Sequence, residues 1–500
     1  MSVIAKLKQL RGQPGQSLTV GLADDVIERF APIDPSLEKA VDAAVAAFEH
    51  VVQEHPELLE VDETEQLKRV QGGLINFYAA DAVNPYVSLA AKGPWIVTLR
   101  GAVIHDSGGY GMLGFGHAPD AILDAMNRPH VMANVMTPNV AQTDFVGAMK
   151  REVGHRRDDA PFQDFLCLNS GSESVSVAAR LADINAKQMT DPGGRHAGKP
   201  IKRMAVAGGF HGRTDRPAHW SDSSRSTYRE HCASFRDEDE LITVRPNCTS
   251  DLEAAFERAE AEGFFIEALF VEPVMGEGDP GRAMTPKFYQ RAVELTRAHG
   301  SLLLVDSIQA GLRAHGCLSI IDYPGFEVLP APDMETYSKA LNAGQYPLSV
   351  LAMNERAAGL YRRGIYGNTM TTNPRAMDVA CAVMELVTPQ LRRNITDRGA
   401  EFVEKLNALK DELGGLITKV QGTGLLFSCE VAPEYKAYGT GSLEEYLRHC
   451  GIGVIHGGEN SLRYTPHFNI TSAEVDLIVA ATRDALLHGP RREAPLAKAG

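Results

Sequence analysis

Between residues 165 and 352, short apolar runs alternate with longer segments of helical periodicity. The apolar runs include FLCL, IEALFVEPV and SLLLVD, and patterns such as VSVAARLADINAK and TPKFYQRAVELTRAHG are typical of helices. Uninterrupted apolar strands indicate a parallel sheet whose two faces are covered by helices. The sequence therefore predicts an α/β fold with a mostly parallel sheet. We expect ligands at the carboxyl ends of its strands.

The chain is too long for one hydrophobic core, because 500 residues exceed what one core usually supports. Residues 376–488 show a mixed α+β pattern, which includes the strand-like GLLFSCE and the helical SAEVDLIVAATRDALL. We expect an N-terminal segment (1–110) that contributes to a small domain, a large domain (111–375) and a C-terminal small domain (376–500).

The composition limits the kinds of partner. A formal charge of −14, from 50 basic and 64 acidic residues, argues against nucleic acid or a membrane surface. No apolar run approaches the roughly 20 residues that a membrane span needs. The seven cysteines lie far apart without a CxxC pair, which predicts a soluble cytoplasmic protein without disulfides. No segment has metal-ligand spacing, so we expect no metal.

Two polar residues stand at the ends of predicted strands. SLLLVD ends in Asp306, and METYSK places Lys339 at the exit of another strand. A carboxylate backed by apolar residues needs a cationic partner or hydrogen bonds, and lysines are seldom buried unless they are paired or reactive. Taken singly, Asp306 is explained as a capping or loop residue and Lys339 as a surface charge. Together they indicate a site.

Two further loops have a composition that suits a ligand. In LCLNSGSES, the small residues Ser170, Gly171 and Ser172 begin a helix whose free N–H groups suit a phosphate, although plain helix capping explains them too. In GGFHGRT, Phe210 suits stacking on a flat ring and Arg213 suits a carboxylate, although the segment taken alone is an ordinary loop. The loop of Ser170 to Ser172 is neither a GxGxxG nor a Walker A motif, which disfavours dinucleotide and NTP folds.

Seven motifs, in order, resemble the successive signatures of class III aminotransferases. They are NSGSES, GGFHGRT, VEPVMGEG, LLLVDSIQAG, SKAL, GNTMTTNPRA and SLRYTP, within a resemblance that covers roughly residues 95–488. These enzymes use pyridoxal 5′-phosphate (PLP) and have PLP fold type I. The resemblance implies a large domain with a mostly parallel seven-stranded sheet, a smaller α+β domain, and a homodimer with shared active sites.

The resemblance also implies roles for the matching residues. Lys339 is expected to hold PLP as a Schiff base and to act as general base and acid, while Asp306 pairs with the pyridine nitrogen. His211, in GGFHGRT, is interpreted as a core or loop histidine. The other expected cofactor contacts are Ser170, Gly171 and Ser172 on the phosphate, Phe210 on the ring, Gln309 on the 3′-oxygen, and Thr369 of the neighbouring subunit on the phosphate.

Three residues resemble substrate-binding groups of the family. Arg213 resembles the arginine that binds the carboxylate of amino-acid substrates, and Glu277 and Arg463 resemble a paired switch. The glutamate covers the arginine while an ω-amine donor binds, then releases it to grip the α-carboxylate of 2-oxoglutarate. A structural ion pair is the alternative. The C-terminal lobe most resembles lysine 6-aminotransferases. We therefore expect an ω-amino acid donor of lysine, ornithine or 4-aminobutyrate type and 2-oxoglutarate as acceptor, in a ping-pong mechanism.

Other functions share some of these residues. A PLP racemase, epimerase or aminomutase uses the same lysine and aspartate, and only a stoichiometric need for an amino acceptor would separate it. A non-catalytic binding protein that kept the fold is the rival from another class, and it is disfavoured because both residues are present. A serine hydrolase built on NSGSES is disfavoured because no GxSxG elbow occurs.

The sequence departs from the family's usual residues at several positions. Ser307 stands where an acidic residue commonly follows the cofactor aspartate, and Ala343 replaces the first of two glycines. Thr372 replaces a glycine before Asn-Pro, and His467 stands where a second proline is usual. These departures indicate a divergent member of the family.

Overall fold

The computed structural model describes residues 1–133, 135–236 and 240–492, which form two compact units. The large unit comprises residues 120–396 with 422–426, and the small unit comprises residues 1–119, 397–421 and the chain from 427 onwards. The divisions therefore fall at 119 and 396, compared with the expected boundaries at 110 and 375. The N-terminal segment shares a unit with the C-terminal part of the chain.

The strands and helices follow in chain order. The strands are β1 (Ser88–Lys92), β2 (Trp95–Thr98), β3 (Val103–Asp106), β4 (Asp164–Leu168), β5 (Ile201–Val206), β6 (Leu241–Val244), β7 (Phe265–Val271), β8 (Leu302–Asp306), β9 (Met334–Tyr337), β10 (Ser349–Met353), β11 (Ile417–Thr423), β12 (Leu426–Val431), β13 (Ile452–Gly453), β14 (Ile455–Gly457) and β15 (Ser461–Tyr464). The helices are α1 (Val3–Leu7), α2 (Asp24–Phe30), α3 (Pro35–Glu54), α4 (Glu63–Val70), α5 (Asp120–Met126), α6 (Val140–Glu152), α7 (Gly171–Thr190), α8 (Asp215–Ala218), α9 (Arg225–His231), α10 (Thr249–Glu262), α11 (Pro286–His299), α12 (Glu355–Leu360), α13 (Pro374–Leu386), α14 (Pro389–Glu412), α15 (Leu443–His449) and α16 (Ser472–His488).

A seven-stranded sheet forms the centre of the large unit, in the order β4-β10-β9-β8-β7-β5-β6. The pairs from β9 to β6 are parallel, and β10 runs antiparallel to both of its neighbours. The predicted α/β fold with a mostly parallel seven-stranded sheet is thus confirmed.

The core of the large unit lies between this sheet and α7. All residues of β7 and β8 are buried, as expected for strands covered on both faces. Trp220 stacks on Phe270 of β7 with ring centroids 3.8 Å apart, and α7 contributes a row of buried Val, Ala and Leu side chains. Burial of each large side chain contributes about 1.5–3 kcal/mol, so this core holds the strand ends in fixed positions.

The small unit contains two four-stranded sheets, β1-β2-β3-β13 and β11-β12-β15-β14. β13 pairs in parallel with β3, so that Ile452 lies opposite His105. Arg100 attaches the N-terminal segment through hydrogen bonds of 3.0 Å from Nε to Gln66 Oε1 and from Nη2 to the carbonyl of Pro14. The first 95 residues are therefore an integral part of this unit.

Two further features concern the whole described chain. Within it, no helix combines the length and the apolar character that crossing a membrane requires. All seven cysteines lie in the described part and are free thiols.

Candidate active site

The predicted site residues of the large unit lie on loops at one edge of the sheet. Asp306 ends β8, the central strand, and Lys339 follows β9 after one intervening residue. β5 leads into the GGFHGRT loop and β7 leads into VEPVMGEG. Because β5, β7, β8 and β9 are parallel neighbours, their carboxyl ends bring these loops together.

Asp306 is a buried carboxylate with two hydrogen-bond donors. Its Oδ2 lies 2.9 Å from Nδ1 of His211, and its Oδ1 accepts from the backbone N–H of Ile308 at 3.2 Å. An ionised carboxylate can only accept, so the proton of the His211 pair belongs on Nδ1. These two contacts fix the orientation of the Asp306 side chain.

His211 is enclosed behind Asp306. Its backbone N–H donates to Ser221 Oγ at 2.9 Å, and its ring packs edge-on against Phe270 with centroids 5.9 Å apart. The sequence predicts a core or loop role for this histidine. The ring does lie in the core, but its bond to Asp306 was missed because 95 residues separate the two in sequence. The only local signal is its place beside Phe210 in GGFHGRT.

Glu272 joins two of the loops. Its Oε2 accepts from the backbone N–H of Phe210 at 3.0 Å, and its Oε1 accepts from that of Gly276 at 3.0 Å. Burial raises the pKa of Glu272 to about 7, with the nearby charge of Asp306 adding to the shift and His211 opposing it. A second titratable carboxyl group thus lies close to Asp306.

The start of α7 has the geometry of an anion site. Ser170 caps the helix, because its Oγ accepts from the backbone N–H of Glu173 at 3.2 Å. A Cβ on Gly171 would lie 2.6 Å from Cδ1 of Ile308, so glycine lets the Asp306 loop approach this helix end closely. The N–H groups and positive dipole of such an end suit a phosphate.

Ser172, Phe210 and Arg213 connect the helix start to the GGFHGRT loop. Ser172 Oγ accepts from the backbone N–H of Arg213 at 3.2 Å. The Arg213 guanidinium lies 5.3 Å from the centre of the Phe210 ring, and its Nη1 donates to Ser224 Oγ at 3.3 Å. Arg213 therefore covers one face of Phe210, and Arg213 itself is exposed.

Glycines allow the remaining loops to pack closely. A Cβ on Gly276 would lie 2.3 Å from Cδ of the buried Gln309, and a Cβ on Gly278 would lie 2.2 Å from the carbonyl oxygen of Gly208. Glu277 lies between these two glycines and is half-buried. The structure thus brings Gln309 and Glu277 onto loops that meet beside Asp306.

Lys339 occupies a strained backbone position. Its φ of +39° lies in a region that residues with a side chain seldom adopt, and it begins a short 3₁₀ turn, Lys339–Asn342. Ser338 Oγ and Asn342 Nδ2 both donate to the carbonyl of Leu348, at 2.7 and 2.9 Å. The turn is therefore fixed on both sides of the lysine. Such strain is typical of residues whose position has a function.

Thr369 follows a segment that is attached to α7 through Glu173. Tyr366 Oη and Asn368 Nδ2 donate to this carboxylate, the latter at 2.8 Å, and so does the backbone N–H of Asn169. Burial opposes the effect of these hydrogen bonds, yet they hold the pKa of Glu173 below its usual value. Thr369 itself is exposed. Its contact with the phosphate of a neighbouring subunit stays a prediction.

Arg463 belongs to the small unit, where it lies on β15 with 0% of its surface exposed. Its guanidinium lies 5.2 Å from the ring centre of Tyr110, which stacks on Tyr78 with centroids 5.6 Å apart. A cation over an aromatic face is stabilised even when it is shielded from water. Glu277 belongs to the other unit, so the Glu277–Arg463 switch stays a prediction.

The residues gathered at the sheet edge fit PLP. A lysine on a strained turn suits its aldehyde, a buried carboxylate held by a histidine suits its pyridine nitrogen, and a glycine-backed helix start suits its phosphate. With the seven-stranded sheet, they define a PLP-dependent enzyme of fold type I. The family model described as "Aminotransferase class-III" matches residues 77–486. The chain belongs to this family of PLP-dependent aminotransferases.

Individual relatives agree with this assignment. The chain is 29% identical to the succinylornithine transaminase of Citrobacter koseri over 395 residues, which is 78% of this chain and 90% of the relative. It is 30% identical to the acetylornithine aminotransferase of Xanthomonas axonopodis pv. citri over 312 residues, or 62% and 71% of the two chains. The ornithine aminotransferase of Toxoplasma gondii has the same fold, with a TM-score of 0.72 at 23% identity over 87% of this chain and 97% of that one. A second structure of that enzyme, with a TM-score of 0.70 at 24% identity over 85% and 94% of the chains, shows partial occupancy of PLP at its active site.

Proposed function

We propose that this aminotransferase takes the amino group of an ω-amino acid, of lysine, ornithine or 4-aminobutyrate type, and passes it to 2-oxoglutarate by a ping-pong mechanism. The main support comes from two arginines that differ in their exposure to solvent. Arg213 is exposed, whereas Arg463 is fully buried. An ω-amino acid has its carboxylate far from the reacting amine, whereas 2-oxoglutarate also has one next to the reacting carbonyl. Two separate carboxylate sites match these two substrates.

PLP, when bound, supplies an electron sink for the carbon that bears the amino group. We assign two protonation tasks to this chain. The Nζ of Lys339 removes the proton from that carbon and returns it on the cofactor side, as a general base and acid. Asp306 keeps the pyridine nitrogen protonated, and His211 orients Asp306 for that task. The lysine also holds the cofactor between turnovers.

We assign the remaining cofactor contacts to the loops around Asp306. Gln309 binds the 3′-oxygen and Phe210 stacks on the ring with the face that Arg213 leaves open. Ser170, Gly171 and Ser172 bind the phosphate at the start of α7. The close approach of Ile308 to Gly171 supports this arrangement, because it links the aspartate loop directly to the helix start.

We assign the choice between the two substrates to Glu277 and Arg463. In this proposal Glu277 neutralises Arg463 while the ω-amine donor binds, and then leaves it to the α-carboxylate of 2-oxoglutarate. The deep burial of Arg463 and its contact with Tyr110 support the idea, because an arginine shielded from water binds a carboxylate more strongly than an exposed one.

We propose a homodimer in which Thr369 of each subunit reaches the phosphate in the other. Support comes from large apolar side chains that this chain leaves exposed. Met370, next to Thr369, is 62% exposed, and Phe77 is 77% exposed. Apolar surface of this kind is often covered by another protein chain.

We place the enzyme in the cytoplasm, in amino-acid metabolism. Its free thiols support this, because disulfides are rare in reducing compartments. Fractionation of the source cells, with a cytoplasmic marker enzyme as control, tests the location.

A donor screen tests the substrate assignment. Purified holoenzyme is incubated with lysine, ornithine, 4-aminobutyrate or alanine, each against 2-oxoglutarate or pyruvate, and glutamate or alanine formation is followed. We expect glutamate from at least one ω-amine donor and little from alanine. Turnover of α-amino donors only would overturn the ω-donor assignment. Arg463→Ala should damage the half-reaction with 2-oxoglutarate more than that with the ω-amine, and equal damage would reject the switch.

A further inference from the structure

Three side chains of types that commonly bind metals converge in the small unit. None of them has a proposed role in binding PLP or substrate. His105 lies on β3, His467 follows β15, and Glu474 lies in the first turn of α16. Glu474 Oε1 lies 3.0 Å from His105 Nε2 and 2.8 Å from His467 Nε2. Their side chains are 0%, 12% and 5% exposed for His105, His467 and Glu474. From the sequence we expect no metal. The sequence gives no sign of this cluster, because His105 and Glu474 are 369 residues apart.

The spacing of these atoms fits a single metal ion. All three ligand atoms lie within 4.8 Å of one another. With bonds of about 2.0–2.2 Å to nitrogen and oxygen, the ligand atoms of a tetrahedral Zn²⁺ ion stand about 3.3 Å apart. The distances of 2.8 and 3.0 Å therefore need to widen by only a few tenths of an ångström. Three protein ligands leave a fourth position for water.

Glu474 is held from behind in the way that metal-ligating carboxylates usually are. Its Oε2 accepts from the backbone N–H of Thr471 at 2.8 Å and from Thr471 Oγ1 at 2.7 Å. Oε1 is thus the oxygen turned towards the two histidines. Hydrogen bonds of this kind fix the orientation of a carboxylate that binds a metal.

The surroundings of His467 include further polar groups. A small cleft there is lined by residues that include Asp106, His117, Thr465 and His467 itself. Asp106 binds His117 at 3.0 Å, so it adds an acidic group to this cleft.

A second cluster, in the large unit, lacks the chemistry of a metal site. It consists of His196, Glu260 and His299. The Nε2 of His299 accepts from the backbone N–H of Ile266 at 3.3 Å, so its proton lies on Nδ1, which faces Glu260 at 3.2 Å. Lys199 already pairs with the same carboxylate at 3.2 Å. This group is a hydrogen-bonded cluster and serves as a matched control.

We propose that His105, His467 and Glu474 bind a divalent transition-metal ion of the Zn²⁺ class. The ion would connect β3 to the segment between β15 and α16, and so hold together parts of the small unit that are distant in sequence. The same three atoms form a hydrogen-bonded group when no ion is bound, with both ring N–H groups on Glu474 Oε1. A direct measurement of metal separates the two states.

The test uses tag-free PLP-bound enzyme that has been treated with a chelator and dialysed. It is titrated with Zn²⁺ or Co²⁺ alone, the bound metal is counted by mass spectrometry, and the visible d–d bands of Co²⁺ report the geometry. His467→Gln and Glu474→Gln are compared with His196→Gln from the second cluster. We expect one ion per chain with tetrahedral Co²⁺ bands, bound at least about 10-fold more weakly by the first two variants. His196→Gln should bind as the wild type does.

Three results would overturn the proposal. They are the absence of a bound ion at micromolar metal, unchanged affinity in His467→Gln, and loss of binding in His196→Gln alone. Glu474 also caps α16, so its variant is scored only if circular dichroism and PLP content match the wild type. His467 lies at the edge of the cluster, and His467→Gln leaves the cap of α16 intact. If Glu474→Gln does not fold, the metal affinity of His467→Gln therefore tests the proposal.

Discussion

At the scale of single residues, the bond between His211 and Asp306 sets the orientation of the buried aspartate. His211→Gln should remove the ring that donates to Oδ2 and leave Asp306 with one backbone donor. We expect kcat/KM to fall by about 100-fold, within the range that proton-handling groups contribute, and PLP to bind more weakly. Steady-state kinetics and PLP titration measure both effects. His219→Gln, at a histidine stacked on Phe235 outside the site, is the control. Equal damage in that control would contradict the assignment.

Gly276 offers a second test at this scale. Gly276→Ala would bring a Cβ to 2.3 Å from the side-chain amide of Gln309 and push it away from its position. We expect PLP affinity to fall by about 10-fold, equivalent to roughly 1.4 kcal/mol. The control is Gly359→Ala, since Gly359 lies in a helix and its Cβ would meet no atom within 4 Å. That change should leave PLP binding as it is and stabilise the fold by up to about 1 kcal/mol. Unchanged PLP affinity in Gly276→Ala would count against the placement of Gln309.

The sequence allowed some site residues to be predicted and hid others. Asp306 and Lys339 stand at the ends of apolar runs, so the rule for parallel sheets places them at one edge. The contacts of His211 and Glu272 depend on loops that meet only after folding. In the sequence, the only sign of them is the place of His211 beside Phe210.

At the scale of elements, β9 carries a buried carboxyl group beside the Asp306 loop. Glu335 Oε1 accepts from Ser307 Oγ at 2.5 Å and from the backbone N–H of Ile320 at 2.9 Å. Ser307 stands where the family commonly has an acidic residue. The carboxyl group of Glu335 on β9 therefore lies against Ser307, the position at which this sequence lacks an acidic residue.

The pKa of Glu335 makes this arrangement measurable. Burial raises it to about 7, while hydrogen bonds from Ser307 and Ser319 oppose the shift. An unfolded glutamate titrates near pH 4.3. In the folded state Glu335 therefore keeps its proton to a higher pH than in the unfolded state. This difference contributes its whole stabilisation below the unfolded pKa, and the stabilisation is lost as the pH rises through about 7.

Glu335→Gln keeps the shape of the side chain but does not titrate. The free energy of unfolding of the wild type, relative to that of Glu335→Gln, should fall by on the order of 2 kcal/mol between pH 5 and pH 8. Urea denaturation at several pH values measures the unfolding free energies of both proteins. The contributions of the other titrating groups are common to both and cancel in the difference. A difference that is constant or rises with pH would contradict the buried, protonated state of Glu335.

Strand direction was only partly predictable at this scale. The apolar runs predict the strands, but they do not reveal that β10 runs antiparallel to its neighbours. The connection from Tyr337 to Ser349 contains only a 3₁₀ turn, whereas a parallel crossover usually needs a helix. The lysine turn itself thus decides the direction of the next strand.

At the scale of the whole molecule, the small unit is assembled from both ends of the chain. The pairing of Ile452 with His105 and the anchoring of the N-terminal segment by Arg100 join residues far apart in sequence. Apolar periodicity predicts the individual elements. It cannot predict which of them share a sheet, because pairing depends on contacts that only the folded chain makes.

The proposed homodimer gives a prediction at this scale. Light scattering of the purified enzyme should give a mass of twice the 54.2 kDa of one chain. Met370→Asp places a charge on exposed apolar surface and should weaken the dimer and lower PLP occupancy together. Val328→Asp is a control on another exposed apolar residue. A fully active monomer would contradict shared active sites.

We propose that Lys339 carries the cofactor as a Schiff base, and chemical trapping can identify the lysine involved. Borohydride reduction of the PLP-bound enzyme fixes the cofactor on the lysine to which it is joined, and peptide mass spectrometry then identifies that lysine. We predict the label on Lys339, with no label on any lysine and no activity in Lys339→Ala. A label on another lysine, or a Lys339→Ala variant that keeps wild-type activity, would show that a different residue carries the cofactor.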